Sequence, residues 1–279
     1  MSTVPQHQGL TNTSIKRSII GLIWPLIAYC AAPAAQDTNS PESQTFSVPD
    51  GRHRFDLGYS TTDASEGEYN ILLPGYSLAF ANGIRFGIAT AWAESVLTDD
   101  LSEGSDKRGL GDTSLQLQYA PSVNITASPW VPDSIGLSAT VVAPTGDPDK
   151  GLGGDNWILD VGLGWFFETG SNLWLAPAGF YENAVKVGSD GIAMEEIGLG
   201  IGLIWLFDNG VWIGYTPELV FDMEADSWAD DHSVIIGKMF SNGFGLSLEY
   251  GRRDRLDPIA TRDDYVGVFS LYYQFGNPP

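Results

Sequence analysis

The chain of 279 residues contains one cysteine and three histidines, and has no apolar run long enough to be a membrane-spanning helix. A single cysteine excludes a disulfide framework and any cysteine-rich metal site. Cations are scarce: 14 Lys+Arg stand against 35 Asp+Glu, a formal net charge of −21. That balance excludes nucleic acid as a partner, because its binding needs clustered Lys and Arg. Charged residues of both signs make up only 18% of the chain, below the roughly 25% of an average soluble domain. The histidines give no base–nucleophile pair. His7 falls in the N-terminal segment and His53 stands alone at the start of a strand. His232 adjoins Ser233, but strand neighbours point to opposite faces. No enzymatic activity is expected, and no cofactor.

What the chain does have is glycine and aromatics: 33 Gly, 9 Trp and 12% aromatic residues in all, within 43% apolar residues. Mean hydropathy is −0.05, too polar for a bundle of membrane helices, while the apolar content is too high for a disordered chain. This composition leans toward β-structure that alternates between two solvents.

The N-terminus reads as a targeting segment. Lys16 and Arg17 form a basic start, and Ser18 to Cys30 is an apolar run of 13 residues, short of the ~20 that span a bilayer. Ala32-Pro33-Ala34 places small residues before a cleavage point after Ala34. Residues 1–34 are expected to be a signal peptide that carries Cys30 away. Residues 35–51 have linker composition and are expected to be a periplasmic lead-in, and residues 52–279 the barrel described next.

Beyond the signal the recurrent feature is period-two alternation over about ten residues. Trp157, Leu159, Val161, Leu163 and Trp165 share one face, and Ile158, Asp160, Gly162, Gly164 and Phe166 the other. The pattern predicts twelve strands, near 52–60, 69–80, 83–95, 111–120, 134–143, 157–167, 172–182, 194–206, 211–222, 232–240, 243–252 and 264–275. Phase is ambiguous in the seventh and tenth. Lys238, on the tenth, is expected in the lumen, since a cation facing lipid at the bilayer midplane costs roughly 2–4 kcal/mol.

The connections alternate in kind. Ala81-Asn82-Gly83, Asp208-Asn209-Gly210, Ser241-Asn242-Gly243 and Glu168–Ser171 are tight turns after even strands. Odd strands are followed by longer acidic connections at 96–110, 144–156, 222–231 and 251–263. The connection at 121–133 departs from this rule, being long on the short side. Aromatics fall near both ends of most strands. Trp165, Trp205, Phe207, Trp212, Phe240 and Phe275 are among those expected at the periplasmic rim, and Tyr59, Trp92, Trp157 and Tyr250 at the outer rim. An even strand count, short turns on one side and two aromatic girdles define an all-β, antiparallel up-and-down barrel of the bacterial outer membrane.

Gly109-Leu110-Gly111-Asp112 leads into a strand with Leu115 and Tyr119. Pro144-Thr145-Gly146-Asp147 follows the next strand, and Gly153-Gly154 precedes Trp157. In this order the motifs resemble a family of Gram-negative outer-membrane transporters of the "MetA-pathway of phenol degradation" type, over residues from about 50 to the end. The resemblance implies a barrel channel or transporter, often encoded with aromatic-degradation pathways. The C-terminus departs from the usual pattern of outer-membrane proteins, because Phe275 is followed by Gly276-Asn277-Pro278-Pro279. Read physically, the glycines permit loop conformations, and Asp112 and Asp147 are of the kind that accept backbone amides.

The predicted lumen carries Arg54, Asp56, Arg85, Gln116, Gln118, Asp160, Glu218 and Glu249. The charged members are the candidate ligand-binding residues, with Arg54 and Arg85 expected to pair with Asp56, Glu218 or Glu249 across the barrel. Asp222-Met223-Glu224-Ala225-Asp226 spaces its oxygens loosely like a calcium loop but lacks that motif's Gly and distal Glu, so no resident metal is expected. Two functions fit. One is a channel for a small hydrophobic or aromatic solute. The other is a closed structural or adhesion barrel whose acidic loops meet lipopolysaccharide, divalent ions or a partner. The expected surroundings are the lipid bilayer, lipopolysaccharide and the outer-membrane assembly machinery.

Overall fold

In the computed structural model the described residues are 52–64, 67–80, 83–97, 107–120, 132–147, 156–169, 172–186, 194–255 and 264–275. The expected signal peptide with Cys30, the lead-in, Gly153-Gly154, most of the 121–133 connection and the last four residues lie outside them. Twelve strands follow in order: β1 Arg52–Ala64, β2 Gly67–Ala79, β3 Ile84–Leu97, β4 Lys107–Tyr119, β5 Ser134–Ala143, β6 Asn156–Glu168, β7 Leu173–Lys186, β8 Met194–Leu206, β9 Val211–Asp222, β10 Ser227–Met239, β11 Phe244–Arg255 and β12 Asp264–Phe275. Each pairs antiparallel with its sequence neighbours, and β1 pairs with β12 from His53↔Phe275 to Asp63↔Tyr265, closing the barrel. Closure satisfies every strand edge, which is what a sheet in hydrocarbon requires.

The alternation sorts the side chains as expected. Leu57, Leu115, Leu137, Leu159, Leu163, Leu199 and Leu248 point outward, while Arg54, Gln118, Asp160 and Glu249 are buried inside. Rings outline the periplasmic edge: His53 stacks on Phe275 at 5.1 Å, and Phe240 lies 5.9 Å from Phe244. At the outer edge Phe221 lies against Trp228 at 4.8 Å, and Tyr250 against Tyr265 at 6.2 Å. These are two girdles flanking a lipid-facing belt.

Three periplasmic turns repeat one construction. The amides of Gly83, Gly210 and Gly243 donate to the carbonyls of Phe80, Phe207 and Phe240 at 3.1, 2.9 and 3.0 Å. Each glycine has φ near +80°: 83°, 78° and 83°. A Cβ at Gly243 would lie 2.2 Å from the Gln274 carbonyl, and one at Gly210 2.4 Å from that of Met239. In the β6–β7 turn, Asn172 takes the positive φ of 58° instead.

Three expectations are corrected. The acidic connection at 222–231 is a tight turn, Met223–Asp226, because β10 begins at Ser227 and Asp231 belongs to the strand. The Asp222 Oδ1 atom accepts the amides of Glu224 and Ala225 at 3.1 and 3.0 Å, so the carboxylate closes the turn. Lys238 faces outward, with the phase of Val234 and Ile236. It stands one residue from the end of β10, and its amine lies 5.3 Å from the centre of the Phe240 ring. At that depth the stem stays in the apolar belt and the charge reaches the rim. Trp212 points into the lumen and is buried, because its indole lies flat over Gly237, where a Cβ would sit 2.4 Å from the ring.

Candidate functional site

The lumen has two unlike walls. On β1–β4 and β12 the inward residues are mostly small: Gly58, Gly75, Ser77, Gly87, Ala89, Ser114 and Ser270 are typical. On β6–β9 the periplasmic half is bulky, where Phe166, Trp174, Ala176 and Ile204 form one buried cluster. The difference leaves a cavity of about 140 Å³ against the small wall, lined also by Trp212, Ile235 and Tyr272. Besides its serines and tyrosines, its polar groups are Arg54, Asp56, Gln116, Thr140 and Glu249.

Of the charged candidates, Arg54, Asp56 and Glu249 line this cavity. Arg54 forms an ion pair with Asp56 on its own strand, and its guanidinium lies 4.2 Å above the Tyr272 ring. Tyr272 in turn covers Gly245, whose Cβ would fall 2.1 Å from the phenol ring. Arg85 is buried near the periplasmic end of β3, opposite Ala79 and Gln118 in the register. Asp160 and Glu218 are also buried and inward, but they stand nearer the outer mouth.

The cross-barrel pairing expected for Glu218 and Glu249 is absent among the described residues. Glu249 is hydrogen-bonded by Ser233, and the cation near Glu218 is Arg253. Arg253 is a lumen cation that the sequence pattern does not single out. Its Nε donates to both Asp231 oxygens at 2.7 and 2.8 Å, and its Nη1 reaches Glu196 at 3.5 Å. Glu182 and Glu196 are likewise not singled out by the pattern, and Asp231, expected in the acidic connection at 222–231, belongs to β10. The signal for Glu196 was present, since it shares a face with Gly198 and Gly200. Glu182 lay on the strand of ambiguous phase, and Asp231 and Arg253 beyond the expected strand ends.

Each strand from β6 to β11 thus turns a carboxylate inward: Asp160, Glu182, Glu196, Glu218, Asp231 and Glu249. Arg54 and Arg85 come from β1 and β3, outside this arc of strands. No group of three or more His, Cys, Asp or Glu side chains among the described residues is arranged to hold a metal ion. The two remaining histidines are engaged on the outer surface. Nδ1 of His53 lies 2.7 Å from the Tyr76 hydroxyl, and Nδ1 of His232 2.9 Å from that of Tyr215.

No family model matches the sequence, and no curated protein sequence matches it. Solved structures do match in fold. An outer membrane channel from Pseudomonas putida F1 is 14% identical and superposes with a TM-score of 0.60, over 86% of this chain and 100% of its own. The KdgM porin is 16% identical with a TM-score of 0.53, over 80% of this chain and 99% of its own. The NanC porin is 10% identical with a TM-score of 0.52, over 78% and 98%. The architecture, the lipid-facing belt and these likenesses define the class: this is a bacterial outer-membrane β-barrel of twelve strands.

Proposed function

We propose that the barrel is an outer-membrane channel for a small solute with an apolar or aromatic body. The observation that carries this reading is the cavity of about 140 Å³ between the small-residue wall and Trp212, Ile235 and Tyr272. A dry cavity of ~150 Å³ accepts a benzene ring, so the space suits one ring, with Gln116, Thr140 and Glu249 offering polar contacts at its edge. The fold likeness to a channel and two porins supports the reading, as does the motif resemblance to transporters of the "MetA-pathway of phenol degradation" type. The mechanism is passive: the solute exchanges bulk water for lumen contacts, and no covalent step occurs. In this reading the outer rim meets lipopolysaccharide, and the assembly machinery inserts the barrel.

A second reading, a closed structural barrel, is favoured by the Phe166–Trp174–Ile204 cluster and by Arg253 bridging Asp231 and Glu196. Single-channel recording of the refolded protein in planar bilayers separates the two. Discrete conductance steps are expected. A silent bilayer with verified barrel insertion would overturn the channel reading in favour of the closed barrel.

A further inference from the structure

Two runs of like charge stand side by side on the inner wall. Asp160, Glu182 and Glu196 are direct cross-strand partners on β6, β7 and β8, and Thr140 of β5 extends the same row. Glu218 of β9 directly opposes Asp231 of β10. Like charges directly opposite each other weaken a ladder, and removal from water strengthens their repulsion. Glu182 and Glu196 are nonetheless only 1% and 3% exposed.

Asp160 and Glu218, each 8% exposed, have neither a hydrogen bond nor an ion pair among the described residues. Glu218 lies within electrostatic reach of Asp231, Asp160 and Glu196, and of Arg253 without touching it. The Thr140 hydroxyl, in the cavity wall beside Asp160 and 1% exposed, also has no partner. A carboxylate largely removed from water and without a donor carries much of the cost of its desolvation. The chain itself shows what relieves that cost, because the Arg253 guanidinium sits among these carboxylates and neutralises Asp231. One further carboxylate, Glu249, lines the cavity next to Trp212 and Tyr272. The cation in the cavity wall, Arg54, is already paired with Asp56.

The carboxylates follow one another along the wall and do not converge, so they do not form a metal-ion site. From this geometry, and resting on the channel reading above, we propose that the solute is a small organic cation. It carries an ammonium or guanidinium group on a body of about one aromatic ring. Glu218 and Asp160 draw it inward from the outer mouth. Glu249 holds its charge while its ring lies against the indole of Trp212, an aromatic contact that adds to the burial of the ring.

The probe is benzylammonium chloride, with sodium benzoate as the ring of opposite charge. Binding to the refolded protein in detergent is measured by calorimetry, and passage by reversal potentials in planar bilayers. Benzylammonium is expected to bind saturably and to carry current, and benzoate to do neither. Glu249→Gln should weaken binding about tenfold or more, as loss of a charge-assisted contact does, and Glu218→Gln should lower the current carried by benzylammonium. Asp160→Asn serves as a third variant, and heat-modifiable gel migration verifies that each is folded. Equal handling of the two ions, or a preference for benzoate, with an open channel overturns the cation proposal and leaves the channel reading standing. Saturable cation binding without current supports the cation site and removes the channel. Absence of both binding and current overturns both.

Discussion

The Asp112 carboxylate accepts the Gly146 amide at 2.9 Å, joining two segments 34 residues apart. Around it, Thr145 Oγ1 donates to the Gly111 carbonyl at 3.3 Å and lies 2.9 Å from Thr113 Oγ1. The Gly-Leu-Gly-Asp and Pro-Thr-Gly-Asp motifs are therefore two halves of one clasp. The clasp sits where Gly111 and Asp112 together oppose Ala91, a bulge that breaks the β3–β4 register between Thr90 and Trp92. A bulge leaves backbone groups without ladder partners, and the clasp fastens β4 to the chain leaving β5. Asp112→Ala should cost about 1–3 kcal/mol, since it strands the amide and removes a charge-assisted bond. Urea titration of the refolded barrel in lipid vesicles measures it, and a change below a few tenths of a kcal/mol would show the clasp to be dispensable.

Leu163→Arg tests the lipid face. Leu163 points outward in the middle of β6, opposite Leu137 and Gly179 in the register. Burying a cation at the bilayer midplane costs roughly 2–4 kcal/mol. Its lumen-facing neighbour, Gly162→Ser, should lose far less. Equal losses for the two variants in the same unfolding titration would contradict the assigned phase of β6.

Gly243→Ala tests the periplasmic turns. The position has φ +83°, and a Cβ would lie 2.2 Å from the Gln274 carbonyl oxygen. Left-handed backbone alone costs an L-residue about 1–2 kcal/mol, and the clash adds to it. Slower refolding and lower stability are expected, measured by the gel shift of folded against unfolded barrel. Asn242→Ala, which loses only the bond that the Phe244 amide donates to Asn242 Oδ1 at 3.1 Å, should be milder.

Arg85→Ala removes a buried cation from the wall facing the carboxylates. In a narrow polar lumen the field of the remaining acids then dominates. Reversal potentials under a salt gradient should move toward higher cation preference, with conductance unchanged or raised. An open channel whose selectivity is the same in both proteins would remove Arg85 from the passage.

The outer surface was legible because lipid imposes a strict rule. Every second residue must be apolar, so Leu57, Leu159 and Leu199 announce themselves, and the twelve strands appear at the expected places. Asn-Gly turns were legible for an equally local reason, since only glycine takes φ near +80° at low cost there. The inner face follows no such rule, because side chains in a lumen meet partners from distant strands. Trp212 was expected at the rim among other aromatics, and only the bare backbone of Gly237 on the next strand explains why an indole fits inside. Lys238 was expected inside on the cost of a midplane cation, and only its depth near the rim makes the outward position tolerable.

The sequence by itself determined that this chain is a β-barrel of twelve strands, because period and turn chemistry are properties of neighbouring residues. The tertiary structure alone decided how the lumen is divided. Closure between β1 and β12, with the register it imposes, sets Asp160, Glu182 and Glu196 in one row and carries Arg253 from β11 to Glu196 on β8. It also places the small residues of β1–β4 opposite Trp212, which opens the cavity on one side while Phe166, Trp174 and Ile204 fill the other. These contacts join residues tens of positions apart. Their pairing depends on strand register around the whole ring, which no local pattern encodes.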